Sequence, residues 1–310
     1  MKKNRTIKNL AALVIMVCTL GELIGCSNTD DVSKQKIMQA FMKENETART
    51  SSVTVQDNTT FTGFITMAGS TSMEKLANAL AESFMLKYPD VTVTVEFTGS
   101  SAGIESVLAG SADIGNSSRA LTEEEKSSGA VENIVAIDGI AVITDSSNTA
   151  AALSTEQLTG IYKGEIRNWS EAGGDDMPIV VVGREAGSGT RETFEELLGI
   201  KDMCAYANEL NSVGAVMARI ASTPGAIGYV SLDVLDDTVR AISIDGAEPT
   251  EENIKAGSYL LSRPFIMVTN GKIGIQSEAV QEMFIYLRSE EGQGLIRAVG
   301  LIVPDELWKR

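Results

Sequence analysis

Four short segments place serine, threonine and glycine where a strand-like run gives way to a helix-like one: Gly69-Ser70-Thr71-Ser72, Gly99-Ser100-Ser101-Ala102-Gly103, Asn116-Ser117-Ser118-Arg119 and Gly187-Ser188-Gly189-Thr190-Arg191. At a helix start the first backbone N–H groups have no intrahelical partner and the dipole is positive. Hydroxyls add donors there, and glycine lets the backbone approach a ligand, so the chemistry on offer is capture of an oxyanion. Each turn taken singly also reads as an N-cap, and Thr71-Ser72-Met73-Glu74 and Thr122-Glu123-Glu124-Glu125 both fit the capping-box pattern. Four such turns, two of them carrying Arg, point to a ligand. Arg184 follows an apolar run and stands four residues before Ser188, which favours a bidentate grip on the anion over pairing with a surface carboxylate. Arg119 and Arg191 fit the ligand or a surface carboxylate equally well. Asp138, in Ile137-Asp138-Gly139-Ile140, is costly to bury without a donor, so it is either a turn residue or a ligand acceptor.

Two enzyme motifs are imitated and fail on their partners. Gly99-Ser100-Ser101-Ala102-Gly103 has the G-x-S-x-G form of a nucleophile elbow, but the chain contains no histidine, which removes the base for that serine. The same absence removes histidine-ligated metal centres. Gly183 to Thr190 resembles a phosphate-binding loop superficially, yet it has no Gly-Lys-Ser/Thr and the spacing is wrong. A serine hydrolase or phosphatase is therefore disfavoured, and no cofactor is expected. With 26 Lys and Arg against 42 Asp and Glu, the net charge of −16 argues against contact with a nucleic-acid backbone.

The elements that must hold these turns alternate. Phe64 to Ala68 reads as a buried strand, followed by a helix with Met73, Leu76, Ala77, Leu80, Phe84 and Tyr88 on one face. Val91 to Thr98 alternates apolar and polar residues, a short helix surrounds Ile104 to Leu108, and Ala112 to Gly115 and Ile134 to Thr144 read as further strands. A second region carries helices at Thr155–Tyr162, Arg191–Leu198 and Val213–Ala221 and strands at Ile179–Val182 and Ala226–Val230. A strand at Phe265–Thr269 and one long C-terminal helix with Val280, Met283, Phe284 and Leu287 complete the pattern. Such alternation predicts an α/β fold with mostly parallel sheets and flanking helices, whose turns gather at the carboxyl ends of the strands. The 310 residues allow two such lobes, with 61–144 and 258–310 forming the first and 145–257 the second. The chain is expected to pass between them near 143–148 and near 257–264.

Lys2, Lys3, Arg5 and Lys8 precede the apolar run Leu10 to Leu20, a basic and then apolar pattern that reads as an export signal over 1–25 rather than a membrane span. Leu23-Ile24-Gly25-Cys26 looks like the lipobox of bacterial lipoproteins, which would make Cys26 the lipidated N-terminus. Cys18 is then lost with the leader and Cys204 alone remains as a thiol, so no intrachain disulfide can form. Residues 26–60 read as this lipidated terminus and a polar tether. Removing 1–25 leaves 22 positive and 41 negative residues, a charge of −19.

The lipobox, AGSTSMEKLA, FTGSSAGIE, SADIGNSSR, AIDGIAV, GIYKGEIRNW, GREAGSGTRETF and STPGAIGYVS, in this order, resemble the phosphate-binding lipoproteins of the bacterial Pst ABC importers. The similarity spans about residues 61–310. It implies a two-lobed type 2 periplasmic-binding-protein fold with the ligand cleft between the lobes. It also implies a solute-binding protein and not an enzyme: one that captures inorganic phosphate and delivers it to a permease driven by a cytoplasmic ATPase. The location implied is the outer face of the cell membrane, through the lipid anchor, and the state before docking a monomer. Carried over by position, the resemblance places phosphate contacts at Ser70, Thr71, Ser100, Arg184, Ser188, Gly189 and Thr190. Well-described members carry, at the position of Ser118, an acid that accepts the phosphate proton, and no Arg after it. Ser118 and Arg119 therefore stand in the site with a changed chemistry, and Asp138 becomes the candidate acceptor. A binding protein for sulfate or molybdate is the alternative ligand assignment, and an acidic protein-docking surface the alternative function.

Overall fold

A computed structural model describes residues 62–304, so the leader, Cys26 and the tether lie outside the described part. The chain opens with three strand-to-turn units. Strand β1 (Gly63–Gly69) leads through a single 3-10 turn (Thr71–Met73) into α1 (Glu74–Lys87), β2 (Val91–Phe97) into α2 (Ser100–Leu108), and β3 (Ile114–Ser117) into the short α3 (Glu123–Ser127). Each follows from its residues. Val91 and Val93 of β2 are buried while Thr92 and Thr94 face solvent, and Leu76, Ala77, Leu80 and Phe84 form one buried stripe along α1.

The long strand β4 (Ala130–Asp145) then carries the chain across to the second half. There follow β5 (Ala152–Leu153), α4 (Thr155–Tyr162), β6 (Val180–Arg184), α5 (Gly189–Leu197), β7 (Asn208–Leu210), α6 (Val213–Ala221), β8 (Ala226–Ser231), β9 (Val239–Ala241), β10 (Ser243–Ile244) and α7 (Glu251–Lys255). The return is made by β11 (Ser262–Asn270), and α8 (Glu278–Arg288) and α9 (Glu290–Ala298) close the described chain. The expected single C-terminal helix is two. Ser289 is extended, with ψ of 165°, and its hydroxyl caps the second helix by accepting from Gly292 N–H.

Among the described residues, nine strands form one sheet in the order β2-β1-β3-β11-β4-β8-β6-β7, with β9 added on β4; β5 and β10 pair separately. The flanks are parallel, as predicted: β1 with β2 and β3, and β6 with β7 and β8. The centre is antiparallel, because β4 and β11 run in opposite directions between the halves. Up to Gly139 strand β4 pairs with β11, and from Ile140 with β8. Ile140 also donates its N–H to Leu261 and accepts from Tyr259 Oη at 2.8 Å, which ties the outgoing and returning segments together. On the first side Ile104, Val107 and Ile266 fill the core; on the second, Trp169, Tyr162, Phe194 and Tyr229 do so.

Candidate functional site

Glycine and serine at the ends of the first three strands are drawn together by backbone contacts. Gly69 has φ of +139°, and a Cβ there would meet the Asn116 backbone at 3.0 Å or less, so β1 can finish against β3 only with glycine. Ser70 N–H then donates to Asn116 O at 2.8 Å. The cap of the first turn is Ser70, whose Oγ accepts from Ser72 N–H at 3.2 Å, and not Thr71 as the capping-box pattern suggests. Thr71 Oγ1 is left buried without a hydrogen-bond partner. Gly99, the N-cap of α2, offers no side-chain cap, and the hydroxyl of Ser100, the first helical residue, is turned to Ser118.

Three of these turns meet on Ser118. Its Oγ accepts from Ser70 Oγ at 2.9 Å and lies 3.3 Å from Ser100 Oγ, while its N–H donates to Ser100 Oγ at 3.2 Å. The fourth turn arrives from the other half. Ser188 caps α5 by accepting from Arg191 N–H, and Gly189 sits so close that a Cβ would stand 2.9 Å from Ser118 Oγ and nearer still to Ser100 Oγ. Thr190 Oγ1 and Ser72 Oγ share a 2.7 Å hydrogen bond across the same gap, and Ser101 N–H donates to Gly187 O. The structure therefore brings Ser70, Thr71, Ser100, Ser118, Ser188, Gly189 and Thr190 to one buried place at two facing sets of helix N-termini.

Arg184 is buried at the end of β6. Its Nε and Nη2 edge donates to Glu185, Leu210 O and Asn211 O, with the shortest contact 2.9 Å to Glu185. Its backbone is braced on both sides: its N–H donates to Tyr229 Oη, and its carbonyl accepts from Arg191 Nη1 at 2.9 Å. That settles Arg191 as a brace, paired with Glu195 and Glu209 and lying over the Tyr206 ring at 4.8 Å.

Arg119 and Asp138, both expected among the ligand contacts, are engaged elsewhere. Arg119 grips Glu125 with two bonds of 2.7 and 2.8 Å and reaches Glu192 of α5 at 2.9 Å. Burial works against its charge, but these two carboxylates outweigh it and raise the guanidinium above its ordinary value. Asp138 Oδ2 accepts twice from Arg263, at 2.8 and 3.0 Å, and Oδ1 accepts from Leu232 N–H. Burial pushes the Asp138 carboxyl up and the Arg263 guanidinium down. Beside this pair, both carboxylate oxygens of Asp233 are buried without a donor, and burial together with the Asp138 charge pushes that carboxyl up to about 7.

Sequence reasoning missed Arg263 and Asp233. A signal for Arg263 existed, a single cation at the head of an apolar strand, but its partner Asp138 is 125 residues away. Cys204 is half-buried, and burial raises its thiol to about 11, in keeping with a packed residue rather than a reactive one.

The PBP superfamily domain matches residues 42–290. The phosphate-binding protein PstS of Bacillus subtilis strain 168 is 32% identical over 94% of this chain and 91% of its own length. A solved Clostridium perfringens structure, a phosphate ABC transporter substrate-binding protein with bound phosphate, is 40% identical with a TM-score of 0.74, over 77% of this chain and 99% of that one. An ABC-type phosphate transport receptor from Vibrio cholerae is 38% identical with a TM-score of 0.67, over 77% and 100% of the two chains.

Proposed function

Because the chain belongs to the PBP superfamily and, within it, to the PstS phosphate-binding proteins, we propose that it captures inorganic phosphate for an ABC importer. The observation that carries the reading is the meeting of two helix-start sets, Ser70, Ser100 and Ser118 from one half and Gly189 and Thr190 from the other, with Arg184 buried at the end of the strand that leads into the second set. Ser70, Thr71, Ser100, Ser118, Arg184, Ser188, Gly189 and Thr190 are the proposed contacts. Backbone N–H groups, hydroxyls and one guanidinium supply donors on all sides of a tetrahedral anion. Each hydroxyl can also turn to accept, which suits the proton that phosphate carries at neutral pH and sulfate does not.

The lobes are proposed as residues 61–144 with 258–310, and 145–257. They would close and open about the segments at Ile140 and Leu261, where β4 changes partner. The lipid anchor at Cys26, the tether, docking on a permease as a monomer, and a position on the outer face of the membrane belong to the same reading. Serine hydrolysis is disfavoured by Ser101, whose hydroxyl is taken up by Arg119 and Glu192.

Phosphate at a hundredfold excess over Kd should stabilise the purified protein by about 2.7 kcal/mol, read as a raised melting temperature. An unchanged melting temperature with phosphate removes this reading.

A further inference from the structure

Two buried guanidinium groups, those of Arg184 and Arg263, are held alike. Arg184 gives its Nε and Nη2 edge to Glu185 and to two carbonyls, and Arg263 gives the same edge to Asp138. Arg263 is as deeply buried as Arg184, and burial, with the Arg184 charge adding to it, pushes the Arg263 guanidinium down. The remaining corner of Arg263, Nη1, has one long contact of 3.4 Å to the carbonyl of Ser118, the residue on which Ser70 and Ser100 converge. Each is met by one carboxylate along that edge, which leaves its Nη1 corner to a further acceptor.

We propose that Arg263 is a second guanidinium of the phosphate site, and that Asp138 positions it. This rests on the phosphate reading above. It gives the anion one guanidinium from β6 and one from the returning strand β11, so charge reaches the ligand from both the second half and the segment that joins the halves. Asp138, fully engaged by Arg263 on Oδ2, acts on the ligand through that arginine.

The test is titration of phosphate and of sulfate into the protein and three variants. Arg263→Lys keeps the charge but cannot hold Asp138 with two bonds while reaching the ligand, and should weaken phosphate binding about 10- to 100-fold. Asp138→Asn releases the guanidinium and should weaken phosphate and sulfate by the same factor. The pair Arg263→Met with Asp138→Asn removes both charges together, avoiding a stranded buried charge, and should bind phosphate no better than Arg263→Lys. A folded double variant that binds phosphate as tightly as the parent overturns the proposal. So does an Asp138→Asn protein that loses phosphate binding and leaves sulfate untouched, which would make the aspartate itself the contact. A readout free of mutation is the side-chain 15N spectrum of the parent, where two buried guanidinium groups should respond to phosphate; a response of one alone contradicts the proposal. A parent protein that binds no phosphate at all marks failure of the underlying reading instead.

Discussion

Gly189 lies against Ser100 and Ser118 in the proposed site, and its missing side chain is what lets α5 approach them. Gly189→Ala puts a methyl group into that gap, where the nearest neighbours are the hydroxyls that would face the anion. The expected outcome is a loss of phosphate affinity of about 100-fold or more with the unliganded melting temperature little changed, because relief comes from the halves standing apart rather than from unfolding. Titration and a melt of the same sample check both parts. Asp233 makes a different prediction. Its carboxyl, raised from 3.8 to about 7 by burial and then by Asp138, faces Arg263 on β11 and Lys75 on α1, whose ammonium reaches only its carbonyl oxygen. An acid raised in this way holds its proton better folded than unfolded, so its contribution to stability is complete below its unfolded value and is lost as the pH rises through about 7. The parent should therefore lose melting temperature between about pH 5 and about pH 8, and Asp233→Asn, the neutral isostere, should lose less over that interval. Equal slopes for the two proteins would place the proton elsewhere.

At the scale of elements, several of the contacts that cross between the halves are carried by the first turn of α5. Glu192, in its first turn, forms an ion pair with Arg119 at 2.9 Å and accepts from Ser101 Oγ, while Thr190 meets Ser72. Glu192→Gln weakens this strut without touching the anion donors, so phosphate should dissociate severalfold faster with little change in association, as stopped-flow mixing would show. The pair is partly exposed, which keeps the effect modest. Much of this architecture was legible because its signals are local. Alternation in β2, the stripe on α1 and the small-residue turns each lie within one element, and the predicted strands and helices stand within a few residues of those observed. Interactions between distant segments left no such mark. Arg263 and Asp138 are each ordinary in their own strands, and Arg119 could not be separated from a ligand contact until Glu192 came across from the other half. The antiparallel centre was hidden for the same reason, since the direction of a strand is set by where the chain returns. The break at Ser289 was readable in principle: a serine followed by two glutamates and Gly292 marks a helix start inside the apolar period.

For the molecule as a whole, an acidic chain of net charge −16 that binds an anion is consistent only if the local field wins. In the proposed site the N-terminal dipoles, hydroxyls and buried guanidinium groups would act on the anion at hydrogen-bond distance. The surface carboxylates act through water and salt beyond a Debye length of about 8 Å. Affinity should accordingly change little between low and high ionic strength, in contrast to a surface patch that collects anions by net charge. The most direct measurement is a calorimetric titration of the protein, freed of bound anion, with phosphate and then with sulfate at neutral pH and two salt concentrations. The account predicts saturable one-to-one heat with phosphate, nearly the same at both salt concentrations, and far weaker binding of sulfate. Heat with sulfate equal to that with phosphate, or none with either, would contradict it.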